Sequence, residues 1–179
     1  MTNQEVLDHI RTKFAEQILE FDEPYSMLTI IINREALLPM VEFIKNDELL
    51  QCNFMTDLCG MHHPDQKGCE LGMVYMFHGW VKNIRIRIKC FMPIDDPHID
   101  SLTSIFKAAN WMERETFDFY GIKFKGHPDL RRILNMDDMD YHPMLKQYKL
   151  EDETRTDKDD RFFGREGHSG VEFDQRYIK

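Results

Sequence analysis

Acidic, basic and aromatic residues are concentrated between residues 111 and 134, in the stretch WMERETFDFYGIKFKGHPDLRRIL. Carboxyl groups placed close together on a helix can act as general acid and general base when the pKa of one of them is raised. Here Glu113, Glu115 and Asp118 are the candidate carboxyl groups, and His127 is a candidate imidazole. One hypothesis for this stretch is therefore the acid–base site of a self-contained enzyme.

The same stretch also fits a structural brace that leads into a binding arm. Arg114 and Asp118 lie four residues apart on one face of a predicted helix, so we expect them to form an ion pair. An arginine beside carboxylates favours their charged form, which suits a structural role better than proton transfer. Residues 111–120 are helix-like, and Gly121 is placed to end this helix in a left-handed cap. From Gly121 onwards the segment GIKFKGHP is predicted to be extended, because His127 precedes Pro128. Stiff segments with aromatic and arginine residues are typical of protein interfaces.

Two further groups of residues contain metal-ligand types. Thiols and imidazoles are good zinc ligands, and one region of the sequence contains Cys52, Cys59, His62, His63 and Cys69. It contains no Cys-x-x-Cys pair, so we interpret it as a loop with reduced cysteines. A second group, Asp95, Asp96 and His98, could bind a cation, but Asp-Asp-Pro is ordinary turn chemistry. The sequence contains no Walker A motif, no dinucleotide-binding glycine motif and no nucleophile elbow.

The elements that must position these residues follow from the spacing of apolar side chains. Thr2 and Glu5 form a capping box, and apolar residues at helical spacing continue as far as Ile18. This first helix is predicted to end before Pro24, because the residue before a proline is driven out of the helical region. Residues 26–32, SMLTIII, then predict a buried strand.

The middle of the chain predicts a second helix and three strands. Asn33 is placed to cap the second helix. Residues 52–58 predict a short strand that leads into a polar loop over 59–69. Residues 70–79 and 83–91 predict two longer strands joined as an antiparallel hairpin, and the spacing of the first strand places Leu71, Met73, Tyr75 and Phe77 on one face.

The second strand of this hairpin alternates strictly between isoleucine and basic residues. The isoleucines are expected to point inward, and Arg85, Arg87 and Lys89 outward. A row of outward charges usually belongs to a solvated sheet face, but it could also meet an acidic partner.

A third helix is predicted from about residue 101, so the fold class is α+β. We expect a two-layer sandwich of helices on a small mixed sheet, formed by residues 1–121, followed by an extended, partner-wrapping arm over 122–179. Residues 151–179 hold nine acidic and six basic residues and little apolar surface. Such a tail cannot offset an ordering cost of roughly 1–2 kcal/mol per residue, so we expect it to be disordered alone and ordered by a partner.

Charge and hydropathy exclude some classes of function. The net charge of −9 argues against a general nucleic-acid-binding protein, which needs a concentrated basic surface. The sequence has neither a secretory h-region nor a run of about 20 apolar residues that could cross a bilayer. A role at a membrane is therefore expected only through partner proteins.

The stretch from residue 110 to 134 closely resembles the signature of the C subunit of respiratory complex I, NADH:quinone oxidoreductase, which is the thirty-kilodalton subunit in mitochondria. The family pattern is Trp-x-Glu-Arg-Glu, then an acid before an aromatic–glycine pair, then apolar-x-Phe-x-Gly-His-Pro-x-Leu-x-Arg. In this chain the pattern falls on Trp111, Glu113, Arg114, Glu115, Asp118, Gly121, Phe124, Gly126, His127, Pro128, Leu130 and Arg132.

A second family motif, Gly-His-Pro-Leu-Arg-Lys-Asp-aromatic-Pro-Leu, is only partly present. The chain keeps His142, Pro143, Lys146, Tyr148 and Leu150. It departs from the motif at Tyr141, Leu145, Gln147 and Lys149. These departures predict a changed partner surface in this segment.

The resemblance implies a non-catalytic scaffold subunit in the peripheral arm of the complex. FMN, iron–sulfur clusters and quinone are then expected in partner subunits, with none of them bound by this chain. The expected partners are the D and B subunits, which together form the quinone site, and the I subunit. The complex would transfer electrons from NADH to quinone with ion translocation, at the cytoplasmic face of the inner membrane. Membrane-bound hydrogenases carry a related subunit, so that parent complex stays open as an alternative.

The resemblance and the residue-level interpretation together assign roles to the charged residues. Glu113, Arg114, Glu115 and Asp118 are expected to brace the helix and its junction with the arm. Partner contacts are expected from Lys125, His127, Arg131, Arg132, His142 and Lys146.

Overall fold

The computed structural model describes residues 1–148, which contain three α-helices and seven strands, together with short 3₁₀ turns and loops. The helices are α1 (Asn3–Phe14), α2 (Leu37–Asn46) and α3 (Ala109–Tyr120). The strands are β1 (Ile18–Asp22), β2 (Leu28–Ile32), β3 (Phe54–His62), β4 (Leu71–Gly79), β5 (Ile84–Met92), β6 (His98–Asp100) and β7 (Lys123–Lys125). The tail predicted over 151–179 lies outside the described residues.

The strands β1 to β5 form one mixed sheet in the order β1-β2-β5-β4-β3. β2 and β5 run parallel, and the other neighbouring pairs run antiparallel. The hairpin predicted from the two longest apolar stretches forms between β4 and β5, with Gly79 opposite Ile84 and Leu71 opposite Met92. The predicted α+β arrangement with a mixed sheet is confirmed.

The helices and one face of the sheet enclose the hydrophobic core. Alternate residues of the hairpin point into this core, as their spacing predicts: Leu71, Met73, Tyr75, Phe77, Ile84, Ile86 and Ile88. The helices α1 and α2 cover these side chains with Val6, Leu7, Ile10, Leu37, Met40, Val41 and Ile44. Because strand side chains alternate between faces, Arg85, Arg87 and Lys89 lie on the opposite face of the sheet.

The first helix is shorter than the sequence pattern predicts. The capping box forms, since Glu5 N–H donates to Thr2 Oγ1 and Thr2 N–H donates to Glu5 Oε2, but α1 ends at Phe14. Ile18 begins β1 and pairs with Ile32, so its assignment to the helix was wrong. β1 is an edge strand with four of its five residues exposed. Leu19 and Phe21 alternate with Glu20 and Asp22, but Ile18 also continues the helical spacing from Phe14, so the two patterns overlap here.

The second helix begins differently from the prediction. A short 3₁₀ turn, Arg34–Ala36, precedes α2. The side chain of Asn33 makes no capping hydrogen bond, and its backbone carbonyl instead accepts the N–H of Ala36. Pro39 lies in the first turn of α2, where a missing N–H is tolerated.

Two other predicted boundaries were also wrong. β3 continues through Cys59 to His62, where the sequence predicts a polar loop, because these residues pair with 71–74 of β4. The helix predicted from about residue 101 begins only at Ala109.

A small parallel sheet of β6 and β7 explains the late start of α3. Ser101 N–H donates to Lys125 O at 2.9 Å, which continues the pairing of the two strands and holds the chain out of a helix. Leu102 is nevertheless fully buried, and its carbonyl accepts the N–H groups of Ile105 and Phe106 within turns. The apolar spacing that predicts a helix here is thus satisfied by a turn packed on the core.

Candidate functional site

The helix α3 carries most of the signature residues, and Gly121 ends it as the sequence predicts. Gly121 adopts a left-handed conformation (φ 79°), and its N–H donates to Phe117 O at 2.9 Å. A Cβ atom at this position would also lie 2.7 Å from the ring of His142. Both the backbone conformation and the close approach of the histidine ring therefore favour glycine.

Glu113 anchors the segment that precedes α3. Its fully buried carboxyl group accepts hydrogen bonds from the hydroxyl of Ser101 (2.7 Å) and the N–H of Leu102 (2.7 Å). Burial raises the pKa of Glu113 to about 7, because these two hydrogen bonds offset only part of the desolvation. The guanidinium of the adjacent Arg114 donates instead to backbone carbonyls of the loop after the arm.

Asp118 is a buried carboxylate that organises the loop following the arm. Its Oδ2 accepts the backbone N–H groups of Ile133, Leu134 and Asn135, and its Oδ1 accepts the Asn135 amide and Arg132 Nη1 at 2.6 Å. Burial alone would raise the pKa of Asp118, but the hydrogen bonds from Asn135, Leu134 and Arg132 hold it well below its ordinary value. The carboxylate therefore stays charged and fixes the backbone of this loop.

Arg132 completes the loop from the other side. Besides the carboxylate of Asp118, its guanidinium donates to the carbonyl oxygens of Met139 (2.7 Å) and Tyr141 (2.9 Å). One largely buried arginine thus joins the end of α3 to two points of the chain beyond it.

Arg114 does not form the ion pair predicted with Asp118. Its guanidinium donates to the backbone carbonyls of Arg131 (3.2 Å) and Arg132 (3.1 Å), and it lies 5.4 Å from the ring of Trp111. The helical spacing allows the predicted pair, but the buried carboxylate is already occupied by Arg132 from the loop. Only the tertiary structure brings that competing arginine into place.

His142 closes the loop onto α3. Its Nδ1–H donates to Asp118 O at 2.9 Å, and its ring meets that of Phe117 edge to face at a centroid distance of 5.8 Å. After Pro143 the chain continues along the domain, where Lys146 N–H donates to His62 Nδ1 of β3 at 2.9 Å. The predicted arm therefore lies against the domain as far as the structure describes it.

The first part of the predicted arm forms β7. Phe124 is buried, whereas Lys125 is exposed and Gly126 adopts a left-handed conformation (φ 83°). His127 accepts the N–H of Asp129 at Nδ1 and donates from Nε2 to Asn110 O at 3.1 Å. The imidazole thus ties this segment to the start of α3.

Arg131, Pro128 and Glu115 face outward. The side chain of Arg131 is 69% exposed, and among residues 1–148 its one ion pair is with Asp129, at 3.0 Å. Glu115 is exposed and lines a cavity of about 340 Å³ between β3 and α3, together with Cys59 and other residues.

The four groups of the acid–base hypothesis do not converge. Glu113 faces the segment before α3, Asp118 faces the loop after the arm, and Glu115 is exposed. His127 is held by Asn110 and Asp129. The structure instead gathers Asp118, Arg132 and His142 into one cluster at the end of α3.

Three residues form hydrogen bonds in this site although the sequence predicts no bracing or interface role for them: Ser101, Asn135 and His62. Each forms its contact with a residue distant in the sequence, such as Lys146 for His62. The sequence carries no local signal for such contacts, because helical or strand periodicity reports only on neighbours along an element.

The predicted metal-ligand groups are used in other ways. Within residues 1–148, no set of three or more His, Cys, Asp or Glu side chains is placed to hold a metal ion. The four cysteines are free, with Cys52 and Cys90 buried. Asp96 pairs with Arg34 and with His98 Nδ1, which fits the turn interpretation of this segment.

Large apolar side chains are exposed on α3 and on the segments that its charged residues hold. They are Trp111, Leu134, Met136, Tyr141, Met144 and Tyr148. None of the helices within residues 1–148 has the length and apolar character needed to cross a bilayer.

The fold and the site define an α+β domain whose charged signature residues hold its own loops in place. A model of the family described as "Respiratory-chain NADH dehydrogenase, 30 Kd subunit" matches residues 30–154. This match covers more than half of the chain, and the chain belongs to that family.

Two curated relatives show the extent of the similarity. The C subunit of the NADH-quinone oxidoreductase of Nocardioides sp. is 39% identical over 151 residues, which cover 82% of this chain and 60% of the relative. The C subunit of the same enzyme from Mycolicibacterium gilvum is 40% identical over 123 residues, which cover 69% of this chain and 54% of the relative. The chain thus spans between half and two thirds of the length of these relatives.

Two solved structures share the fold. A trypsin-resistant fragment of Nqo5 has a TM-score of 0.59 and 27% identity, and the match covers 73% of this chain and all of the fragment. A chain of a membrane-bound sulfane sulfur reductase, an archaeal respiratory membrane complex, has a TM-score of 0.70 and 17% identity. That second match covers 98% of this chain and 97% of the other, and at this identity it concerns the fold alone.

Proposed function

We propose that this chain is a non-catalytic structural subunit of a respiratory NADH:quinone oxidoreductase of the complex I type. In this role it supports the subunits that form the quinone site, and it meets quinone only indirectly. FMN, iron–sulfur clusters and quinone are bound by partner subunits, and this chain reaches the membrane through them at the cytoplasmic face of the inner membrane. Family membership and the two curated relatives support the assignment to this complex.

The scaffold role rests on how the charged signature residues are used. Glu113, Asp118, Arg114 and Arg132 form their hydrogen bonds with this chain's own loops, on both sides of α3. A catalytic acid or base must instead reach a substrate proton from an open site. The geometry therefore favours a brace that fixes the surface of the domain.

The surface that this brace fixes has the composition of a binding face. Trp111 is 64% exposed, and Leu134 and Met136 are exposed to a similar degree. Exposed tryptophan and arginine residues dominate the energetics of protein interfaces. We assign this face, with Lys125, Arg131 and the arm over 122–179, to contacts with the D and B subunits and with the I subunit.

Affinity purification of the tagged full chain from its native membranes tests the proposal. We expect NADH:quinone reductase activity and the D and B subunits to purify with it, and no turnover by the isolated chain. Acid–base turnover by the isolated chain would support the rival enzyme function instead.

The parent complex is tested in the same experiment. The fold also occurs in an archaeal sulfane sulfur reductase complex, so the fold alone does not fix the electron donor. Co-purification of a flavin-bearing, NADH-oxidising subunit supports the proposed complex. Co-purification of a hydrogen-oxidising subunit, without one that oxidises NADH, would assign the chain to a membrane-bound hydrogenase.

A further inference from the structure

The sheet face opposite the helices carries a row of cations on its central strand. Arg85, Arg87 and Lys89 alternate with the buried isoleucines of β5, so all three lie on this face. Among the described residues, none of the three has a carboxylate within 4 Å. Positive charge is thus concentrated along the central strand of this face, in a chain whose net charge is −9.

Arg87 has more hydrogen-bond donors than partners. Its Nε is buried and has no acceptor within residues 1–148, and its Nη1 reaches Thr29 Oγ1 only at 3.5 Å. A buried guanidinium N–H without an acceptor costs free energy, and a carboxylate is the acceptor that matches guanidinium geometry best.

Apolar side chains flank these cations on the two neighbouring strands. Ile31 of β2 and Val74 of β4 both pair in register with Lys89. Met76 of β4 pairs with Arg87. The face therefore combines a charged centre with apolar area that a partner could cover.

An aromatic cluster closes one end of the face. Trp80 stacks on His78 at a centroid distance of 4.9 Å and meets Phe54 edge to face at 5.6 Å. Trp80 is 64% exposed and Phe54 is 44% exposed, while His78 pairs in register with Arg85. Exposed tryptophan beside arginine is the composition of an interface hot spot.

We propose that this surface is a second docking site and that its occupant is an acidic segment of a neighbouring protein subunit. We name it the basic sheet face and define it as Arg85, Arg87, Lys89, Phe54, His78 and Trp80. It lies on the opposite side of the sheet from α3, so it goes beyond the proposed function. The chain would then be held between two neighbours, one on each side of its sheet.

Charge selects this occupant over the others. A second copy bound through the same face would place two rows of cations against each other, at a cost of several kcal/mol. Nucleic acid and an anionic lipid surface carry phosphates over a wide area and would also meet the acids on the outer strands of this face, whereas a peptide segment can place its carboxylates over β5 alone. The acids of this face, Glu20 and Asp22 on β1 and Asp57 on β3, lie on its outer strands. The acids of the partner must therefore lie over β5, which fixes their register.

Photo-crosslinking in native membranes tests this site. The probe is p-benzoylphenylalanine, placed at Phe54 in the full-length tagged chain, with the same probe at Trp111 as the matched reference on the α3 side. We expect the Phe54 probe to capture a peptide rich in Asp and Glu from a co-purifying subunit. Its yield should fall about tenfold in an Arg85→Glu/Lys89→Glu background, since opposed charges at an interface are strongly destabilising.

Two controls make the result specific. Lys67→Glu/Lys107→Glu, the same charge change at two exposed lysines outside the face, should leave capture at Phe54 unchanged. Replacing the acids of the captured peptide by lysine should restore capture in the Arg85→Glu/Lys89→Glu background. Thermal melting of each variant checks that it is folded. Capture by the Phe54 probe in the chain without charge substitutions tests the site even if a charge variant does not fold.

Several outcomes would overturn the docking site. They are capture at Phe54 of a second copy of this chain, of a lipid, or of a neutral or basic peptide, and no capture at Phe54 while the Trp111 probe succeeds. Capture of an acidic peptide at Phe54 without any capture at Trp111 would support this site and count against the α3 face of the proposed function. Failure of both probes would overturn both.

Discussion

Glu113 and Asp118 lie five residues apart on α3 and are both buried, but their pKa values are shifted in opposite directions. Glu113 meets a hydroxyl and one amide, and this environment does not offset its desolvation. Asp118 accepts hydrogen bonds from three backbone N–H groups, an amide side chain and a guanidinium, and these donors offset its desolvation. Burial therefore raises the pKa of the carboxyl group of Glu113, whereas hydrogen bonds lower that of Asp118 and keep it ionised.

The raised pKa of Glu113 predicts a loss of stability on raising the pH. Between about pH 4.5 and pH 7 the unfolded chain releases this proton and the folded chain keeps it, so the free energy of unfolding falls across this window. Glu113→Gln stays neutral and lacks this loss. We expect the pH profiles of wild type and variant to diverge by about 1–3 kcal/mol between pH 5 and pH 8 in urea unfolding.

Glu115→Gln is the matched control for this measurement, because Glu115 is exposed on the same helix. Its profile should follow that of the wild type. Parallel profiles for wild type and Glu113→Gln would contradict the raised pKa.

At the scale of elements, α3 holds the segment before it and the loop after it. Glu113 fixes residues 101 and 102, whereas Arg114 and Asp118 fix the loop from residue 131 to 135. The helix itself is positioned by close contact with β3. Gly60 lies where a Cβ atom would be 2.6 Å from the ring of Tyr120 and 2.9 Å from the methyl group of Thr116.

This contact predicts that Gly60→Ala displaces α3 from the sheet. We expect it to lower the free energy of unfolding by about 1–3 kcal/mol, because overpacking forces a well-packed helix to move. Gly72→Ala on β4 is the control, since its added methyl group meets the flexible end of Met61 and the edge of Phe91 on the other face. Urea unfolding that ranks Gly72→Ala as the more destabilising change would contradict this account.

Arg131 and Arg132 are adjacent, but their structural environments predict different effects. Arg132→Ala leaves Asp118 buried without its cation, so we expect the chain to lose about 2–4 kcal/mol of stability. Arg131→Ala removes only an exposed pair with Asp129, so its stability should change by less than about 0.5 kcal/mol. In the proposed interface, both changes weaken assembly, by about 1–4 kcal/mol.

Chemical unfolding and the yield of purified complex separate the two effects. Loss of assembly in a fully stable Arg131→Ala chain would locate a direct partner contact. Full assembly and full quinone reductase activity in both variants would rule out the partner contacts proposed for these arginines, and a fully stable Arg132→Ala chain would contradict its role in the brace.

At the scale of the whole molecule, the helices and their loops form one side of the domain and the basic sheet face forms the other. A domain with two such faces can be held by neighbours on both sides. The contribution of each face to the yield of assembled complex can be measured separately, because the two faces have no residue in common.

Trp111→Ala tests the α3 face as a whole. Trp111 is 64% exposed, so its removal should change the melting temperature by less than about 3 °C, while it lowers the yield of assembled complex about tenfold or more, as expected for a hot spot. Leu19→Ala is the matched control, since Leu19 is 63% exposed on the edge strand β1. Equal yields from wild type and Trp111→Ala would remove Trp111 from the proposed interface.

The sequence by itself determined the elements that are marked by strong periodicity or by special backbone residues. Two apolar stretches joined by a short turn predicted the β4–β5 hairpin, strict alternation predicted the two faces of β5, and Gly121 predicted the end of α3. These features are local, because each depends on residues within one element or on one backbone conformation. Family membership also followed from sequence, since the signature occupies consecutive positions.

Only the tertiary structure decided which charged groups meet. Arg114 and Asp118 have the spacing of an ion pair, yet Arg132 occupies the carboxylate and Arg114 binds the backbone of the loop. The difference arises because a buried carboxylate takes the set of donors that compensates its desolvation best, and here that set comes from a loop brought close by the fold. For the same reason, Glu113 and Asp118 look alike in the sequence and differ in their protonation in the folded chain.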